Sequence, residues 1–246
     1  MDKPDLSIAT MTWARNEKED TLLREAMRCL AEVEMPVAIT DGGSGRSFID
    51  YLKSFPNFAV FASEAPGVFA QIKRSLQAAG ERGARFILYT ESDKELFFKR
   101  QLSDFISQAP SDDQVGVVLA SRSADSFRTY PRSQQYTEGV INHLCAEITG
   151  QQGDFSYGPV IINRALVPYL ELVKEDIGWG WRHFIFGLAH RLGYRLIHWE
   201  ADLPCPQAQQ GDNRQELIHR MRQLSQNVQG LVLSTSIPVT SREEIA

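Results

Sequence analysis

Two acidic residues follow a short apolar run in the middle of the chain. The run Phe86–Tyr89 predicts a strand buried on both faces, and Glu91 and Asp93 come just after it. In an extended segment, residues two apart point to the same side, so the two carboxylates are expected to lie together. Paired carboxylates at the carboxyl edge of an α/β sheet are typical of a divalent-cation site that also holds phosphate oxygens. A solvated acidic turn is the alternative that these residues leave open.

A glycine-rich loop follows the apolar segment 37–40. Asp41 and Gly42 open this loop, and its glycines allow the backbone to turn sharply beside a ligand. Asp41 would then accept hydrogen bonds from a nucleobase or a ribose, whereas the alternative is a tight turn capped by the aspartate. The loop lacks the GxGxxG pattern and does not follow the first strand, so it does not predict a dinucleotide-binding fingerprint.

Two tryptophans alternate with two glycines in the segment 178–181. Glycines permit a close approach of another group, and flat indole rings pack against apolar faces, including those of sugar rings. Trp179 and Trp181 are therefore candidate sugar contacts. Indoles that fill the core or a lid are the alternative.

Strands and helices alternate along the first half of the chain. Apolar segments predict strands at Leu6–Thr12, 37–40, Phe58–Ala62 and the central run. Amphipathic stretches between them predict helices, and the repeated strand–helix order implies crossover connections. The predicted fold class is therefore α/β, with a mostly parallel central sheet flanked by helices.

The second half has a less regular pattern. Strands are predicted at 115–120, 158–163 and 194–200, and helices at 97–106, 140–148, 165–173 and 184–192. The polar stretch 123–135 is predicted to be a long loop with a functional role. An apolar stripe marks a C-terminal helix and consists of Leu217, Met221, Leu224, Val228 and Leu231. We expect this stripe to dock on the domain, with a homodimer contact as the alternative.

Length, composition and charge restrict the class of protein. The 246 residues suit one large domain, and 43% hydrophobic with 23% charged residues is an ordinary globular composition. A net charge of -5 argues against a nucleic-acid or anionic-membrane surface. Three widely spaced cysteines indicate a reducing compartment. The N-terminal segment has no apolar signal region and no segment is long and apolar enough to span a bilayer, so the expected location is the cytoplasm.

Taken together, these segments resemble the GT-A type of nucleotide-sugar glycosyltransferase, close to the large family 2 pattern, over roughly residues 6 to 200. The first strand with its Asn-Glu turn, residues 6–17, is similar to the opening of that family. The motif at 41–44 resembles the family segment whose acid reads the nucleobase. The central strand and the acids of 91–93 are similar to the DxD motif, which binds a metal and the sugar diphosphate. Segment 178–181 looks like the acceptor-side loop.

The resemblance implies a domain layout, a cofactor and partners. It implies a single GT-A domain over 1–246, in which 1–121 bind the nucleotide, 122–234 bind the acceptor and contain the C-terminal helix, and 235–246 are a tail. Glu91 and Asp93 would bind Mg²⁺ or Mn²⁺. The residues implied at the UDP- or GDP-sugar donor are Thr10, Thr12, Arg15, Glu17, Asp41, Gly42, Gly67, Lys73 and Ser92. Those implied at a small-molecule or glycan acceptor are Trp179, Gly180 and Trp181.

Two departures from the family pattern concern the chemistry. The metal motif has its longer acid first, Glu91. The Glu-Asp pair that usually follows the Gly-Trp loop, and supplies the catalytic base, is replaced by Arg182 and His183. Either the base is elsewhere, the mechanism is retaining, or the site does not catalyse. Asp176 and His183 are the candidate bases, with a structural hydrogen bond as the alternative for His183.

One further metal ligand and two alternative functions are also consistent with the sequence. His198 or His219 would supply an additional metal ligand, although packed or solvated histidines are the commoner case. A GT-A-like module that binds a nucleotide sugar without transferring it is the competing function. A nucleotidyltransferase is the third, but the segment 13–17 lacks the glycine-rich basic loop which that class usually needs.

Overall fold

The computed structural model describes residues 5–239, and within them strands and helices alternate as predicted. The strands are β1 (Leu6–Thr12), β2 (Val37–Asp41), β3 (Phe58–Ala62), β4 (Phe86–Tyr89), β5 (Val115–Arg122), β6 (Val160–Asn163) and β7 (Arg195–Ala201). The α-helices are α1 (Glu17–Ala31), α2 (Arg46–Lys53), α3 (Val68–Gly80), α4 (Glu95–Arg100), α5 (Leu102–Ile106), α6 (Ala124–Arg128), α7 (Arg132–Thr149), α8 (Trp181–Arg191) and α9 (Arg214–Ser236). Short 3-10 helices span Arg164–Leu172, Gly178–Gly180 and Gln207–Gln209. The predicted α/β class is confirmed.

The chain divides into two compact units. The first contains Met1–Ser111 and Pro159–Pro168, and the second contains Asp112–Gly158 and Tyr169–Ala246. The soft boundary expected near Ser121 lies inside β5, and the division falls earlier. One domain with two functional halves stays a prediction. Residues 240–246 of the predicted tail lie outside the described residues.

The first unit contains a sheet with the strand order β3-β2-β1-β4-β6. The first four strands are parallel, and β6 runs antiparallel to β4. The register pairs Thr12 with Asp41 and Asp41 with Ala62, so the ends of β1, β2 and β3 are level. The loops that follow these strands and β4 therefore share one edge of the sheet. The mostly parallel sheet is confirmed.

Burial explains why these apolar runs form inner strands. Every residue of β2 and β4 is buried, as is typical of inner strands of a parallel sheet. Helix α3 packs on β1, where the Ser7 hydroxyl donates to the Ala79 carbonyl over 3.0 Å. Helix α1 begins at Glu17 because the Asn16 side chain accepts a hydrogen bond from the Glu19 N–H. The Asn-Glu turn therefore ends in a helix cap.

The second unit contains a parallel pair of strands, β5 and β7, and the packed helices α7, α8 and α9. Helix α9 approaches the segment 178–180 so closely that a side chain on Gly180 or Gly230 would collide with backbone atoms of the other segment. Docking therefore depends on small residues in the second half of α9. The predicted stripe is only partly correct, because Leu231 is buried whereas Leu217 and Met221 are exposed.

Two predicted boundaries are wrong in the middle of the chain. The stretch 123–135 is not a long loop, since it contains α6 and the start of α7. Ser123 caps α6 by accepting from the Ser126 N–H, and Pro131 precedes the first turn of α7. The helix expected over 97–106 is interrupted at Gln101, which separates α4 from α5.

No helix among residues 5–239 has both the length and the apolar character needed to traverse a bilayer.

Candidate functional site

The carboxylate of Asp41 organises the loop that follows β2. Its Oδ2 accepts from the hydroxyls of Thr12 and Ser44, each over 2.7 Å. Its Oδ1 accepts from the N–H groups of Gly43 and Ser44 over 2.8 and 2.7 Å. A carboxylate has about four acceptor positions, so these four bonds use its capacity. The arrangement favours the capping alternative over direct readout of a nucleobase by Asp41.

Ser44 joins the loop after β2 to the loop after β1. Its hydroxyl donates to Asp41 and accepts from the Ala14 N–H over 2.7 Å. Gly43 lies between these contacts with φ of 114°, a value that favours glycine. The two loops are therefore fixed to each other at the carboxyl edge of the sheet. Ser44 belongs to the motif at 41–44 but was not predicted as a site residue, although a serine three residues after a loop aspartate is a recognisable capping pattern.

The acidic residues after β4 lie on a turn at the same edge. The Lys94 N–H donates to the Glu91 carbonyl, and the Thr90 N–H donates to the Ala9 carbonyl of β1. Because the segment 91–94 turns, the prediction of an extended backbone there is wrong, and the proximity of the two carboxylates stays a prediction. Asp93 is exposed, Glu91 is half-buried and Ser92 is buried. The turn therefore presents Asp93 to solvent beside the end of β1.

The acidic turn fits one kind of metal site. Within residues 5–239, no group of three or more His, Cys, Asp or Glu side chains is arranged to hold a metal ion. Two carboxylates from one turn nevertheless suit Mg²⁺ or Mn²⁺, which are commonly held by one or two carboxylates together with phosphate oxygens and water. Among the described residues, His198 and His219 belong to no metal-binding group. The Nδ1 of His198 lies 2.8 Å from the Ser121 hydroxyl, and His219 is exposed.

The other residues that were predicted to bind the nucleotide differ in their exposure and in the contacts they already make. Arg15 is exposed and binds the Glu19 carboxylate through two guanidinium nitrogens, at 2.9 and 2.7 Å, so its charge is already paired. Glu17 is the exposed first residue of α1. Thr10 is buried in β1, and its hydroxyl has no hydrogen-bond partner among the described residues. Arg15 and Thr10 are therefore weaker candidates than the loops themselves.

The N-terminus of α3 lies at this edge of the sheet and carries the partial positive charge of a helix start. Gly67 precedes the helix with φ of 107° and provides no side-chain cap, which leaves the first N–H groups to another acceptor. Helix N-termini of this kind bind phosphate groups. Lys73 lies half-buried in the second turn of the helix. Gly42 packs against the Gln71 side chain, so a larger residue would displace that amide.

A cavity of about 350 Å³ borders the loop after β2. It is lined by residues 41–44, by Ile49 and Lys53 of α2, and by residues 60–63 of β3 and the following turn. Sequence reasoning missed the cavity and also Trp13. The Trp13 indole is exposed at the end of β1, and the Arg15 guanidinium lies 5.4 Å from its ring centroid. The sequence did show a tryptophan directly after the first predicted strand, and this residue could have been proposed as a contact for a ligand.

The Gly-Trp segment belongs to the second unit and is mostly buried in it. Trp181 is completely buried, Gly180 is buried and Trp179 is half-buried. The Arg182 guanidinium lies 5.8 Å from the Trp179 ring centroid. Burial assigns Trp181 to the core, which was the alternative. Asp176 is exposed, and its Oδ1 accepts from the Gly178 N–H over 2.9 Å.

His183 lies in helix α8, and its side chain is completely buried. Burial lowers its pKa to about 3, so the imidazole is neutral near pH 7. Its ring packs 5.5 Å from the ring of Phe186. A base that takes a proton from an acceptor hydroxyl must contact that hydroxyl, and a wholly buried ring does not meet this requirement.

Folding stability is expected to fall in acid because of His183. The unfolded chain binds a proton below pH 6.5, whereas the folded chain binds one only near pH 3. The free energy of unfolding should therefore be about 2 kcal/mol lower at pH 5 than at pH 7.5 from this residue alone. Urea denaturation at several pH values measures the slope, which His183→Phe should flatten. His219→Phe, which changes an exposed ring, is the control. A slope that His183→Phe leaves unchanged would contradict the assignment.

A buried ion-pair cluster at the end of β5 was also missed. The Arg122 side chain is fully buried and donates over 2.6 Å to both Asp154 and Glu138. The rings of Tyr130 and Phe127 lie 4.4 and 4.7 Å from its guanidinium carbon. Burial alone would raise the pKa of Asp154, but the guanidinium outweighs it and holds that pKa at about 2. The cluster connects β5 to α7 and to the chain around Asp154.

Comparisons with known proteins bear on the fold. No family model and no curated protein matches the sequence. Among solved structures, glucosyl-3-phosphoglycerate synthase from Mycobacterium tuberculosis in complex with UDP has a TM-score of 0.60 at 15% identity, covering 95% of this chain and 82% of that one. The same enzyme with Mn²⁺, UDP-glucose and phosphoglyceric acid gives 0.57 at 15% identity, covering 95% and 81%. Its complex with Mg²⁺ and UDP gives 0.59 at 13% identity, with the same coverage.

Identities this low establish the fold and nothing finer. The likeness extends over nearly the whole chain, and it includes the mostly parallel sheet whose edge carries the loops described above. The resemblance inferred from the motifs is confirmed at this level: the chain has the fold of the GT-A-type glycosyltransferases.

Proposed function

We propose that the protein transfers a sugar from a nucleoside-diphosphate sugar to an acceptor hydroxyl, with the aid of a divalent metal ion. One observation carries the proposal. Within the first unit, the acidic turn 91–94 and the joined loops after β1 and β2 occupy the same sheet edge. Ligands of open α/β sheets bind at that edge. Solved structures with this fold contain UDP-glucose together with Mn²⁺, or UDP together with Mg²⁺.

Asp93 and Glu91 are the residues that we propose hold the metal ion. A bound Mg²⁺ or Mn²⁺ neutralises negative charge on the leaving diphosphate. Asp93 is the exposed member of the pair, so we assign it the direct contact and give Glu91 a supporting one. Ser92, between them in the sequence, is buried.

The nucleoside diphosphate is proposed to bind the loops after β1 and β2 and the start of α3. The exposed face of Trp13 offers a stacking surface for a base. Thr12 and Asp41 shape the pocket by fixing the loop, rather than by reading the base. The uncapped N–H groups after Gly67, with the charge of Lys73, favour a diphosphate.

The acceptor is proposed to interact with residues of the second unit. Of the two candidate bases, Asp176 is exposed and His183 is buried, so we assign proton removal to Asp176. Trp179, which is half-buried, is the indole available to a sugar ring. Trp181 and Gly180 support that segment from within.

Release of free nucleoside diphosphate tests the proposal. The protein is incubated with UDP-glucose or a GDP-sugar and Mn²⁺, with and without 3-phosphoglycerate as a trial acceptor. We expect slow release that requires the metal, stops with EDTA and becomes faster with a suitable acceptor. Release that is independent of metal, or no binding of any donor in the presence of Mn²⁺, would contradict the proposal.

A binding module without transfer activity is the second candidate. It is favoured by the burial of His183, at the place where the family usually has its catalytic acids. This candidate predicts that UDP-glucose binds in a Mn²⁺-dependent manner and is recovered intact after long incubation with every acceptor. Calorimetry of binding combined with chromatography of the nucleotide separates the two functions.

A further inference from the structure

We propose that the protein self-associates through α7, with two copies of the helix pairing in antiparallel orientation. The contact surface is an exposed row of apolar side chains, which we call the α7 strip. It consists of Tyr136, Val140, Leu144 and Ile148. The strip belongs to the second unit, whereas the loops of the proposed donor site belong to the first.

The α7 strip is exposed along its whole length. The exposed fractions are 72% for Tyr136, 49% for Val140, 36% for Leu144 and 41% for Ile148. Residues four apart lie on one face of a helix, so these four side chains form a continuous apolar row. Single exposed apolar residues are ordinary, whereas a contiguous row marks a contact surface.

An adjoining face of the same helix supplies the packing of its own unit. Ile141 and Cys145 are completely buried there, and Thr137 is 8% exposed. The helix is therefore anchored through one face, and its exposed apolar row adds nothing to the core of the unit. A helix that is apolar on two faces is typical of one that packs on a second partner.

The charges at the ends of the α7 strip favour a second copy of this chain. Arg132 and Glu147 are both exposed, one near each end of α7. A two-fold axis between Gly139 and Val140 places Arg132 of one copy beside Glu147 of the other, and the reverse. The two copies would therefore form two equivalent ion pairs, one at each end of the contact. A membrane surface would instead favour basic residues on both flanks.

The centre of the strip suits a close approach of two helices. Gly139 is exposed, and a Cβ atom at that position would have no heavy atom within 4 Å. In the antiparallel pairing, the Val140 side chain of the other copy lies over this open position. Tyr136 of one copy then lies near Leu144 of the other, so the aromatic ring covers an aliphatic side chain.

Sedimentation velocity of the full chain over a range of concentrations tests the proposal. We expect a concentration-dependent dimer whose dissociation constant rises at least about tenfold in Val140→Asp, with an unchanged circular dichroism spectrum. Val232→Asp is the matched control, because Val232 is a valine of α9 that is 59% exposed and lies outside the strip. A monomer at every concentration, or a dimer that only Val232→Asp weakens, overturns the proposal.

Charge reversal and cross-linking test the orientation. Glu147→Arg should weaken the dimer, and the double variant Glu147→Arg with Arg132→Glu should restore it. Val140→Cys should form a disulfide between copies under oxidation, because position 140 is the strip position beside the axis, whereas the native cysteines are buried. Failure of the double variant to restore the dimer contradicts the antiparallel pairing. So does the absence of a cross-link in a sample of Val140→Cys that is shown to be dimeric.

Discussion

Replacing Asp93 with alanine is expected to lower the rate of metal-dependent nucleoside-diphosphate release by about 10²- to 10³-fold. A metal ion on the leaving diphosphate is worth several kcal/mol, and each 1.36 kcal/mol corresponds to a factor of ten. Asp93 is the exposed carboxylate of the acidic turn, so its removal leaves Glu91 as the remaining protein ligand. Initial rates measured over a series of Mn²⁺ concentrations give the effect.

Asp104→Ala is the matched control for Asp93→Ala. Asp104 is an exposed acid of α5 and should leave both the rate and the Mn²⁺ dependence unchanged. UDP binding should be stronger with Mn²⁺ than without it in the wild type and in the control, but equal under both conditions in Asp93→Ala. If all three proteins show the same Mn²⁺ dependence, the metal is not held at this turn.

Replacing Arg122 with leucine is expected to lower the free energy of unfolding by about 3–5 kcal/mol. The substitution leaves the carboxylates of Asp154 and Glu138 without their buried cation, at positions that bind it over 2.6 Å. Burial then penalises the charge on Asp154, whose pKa the guanidinium had held down. The midpoint of urea denaturation, with the slope checked for constancy, measures the loss.

Arg128→Leu is the control for the Arg122 variant. Arg128 forms an exposed ion pair with Asp125, and exposed pairs contribute from nothing to about 1 kcal/mol. The double variant Arg122→Leu with Asp154→Leu should recover part of the lost stability, because it removes one of the two carboxylate charges that Arg122 had paired. Equal losses in Arg122→Leu and Arg128→Leu would show that the cluster contributes no more than a surface pair.

The sequence predicted the elements whose residues carry a clear local pattern. The runs at 37–40 and 86–89 are mostly apolar, and they form most of the buried strand β2 and the whole of the buried strand β4. The alternation with helices then determined the parallel order and the edge where the loops meet. Local periodicity and turn residues were sufficient for these elements because strand burial depends on the segment itself.

Features that depend on distant partners escaped prediction. Arg122 was not among the predicted site residues, because its partners Glu138 and Asp154 lie 16 and 32 residues away. Trp181 was a candidate sugar contact and His183 a candidate base, each with a structural alternative, because nothing local shows that α8 is buried on all sides. The chemistry of a residue depends on its burial, and burial is a property of the tertiary structure.

Asp41 has a consequence for which donors the protein accepts. Its carboxylate is satisfied by the chain itself, so no anionic group remains there to distinguish the N–H pattern of uracil from that of guanine. Discrimination between bases would then depend on stacking area and on backbone groups, which respond weakly to base identity. We therefore expect relaxed nucleobase selectivity, with UDP and GDP competing for the same loops at similar concentrations.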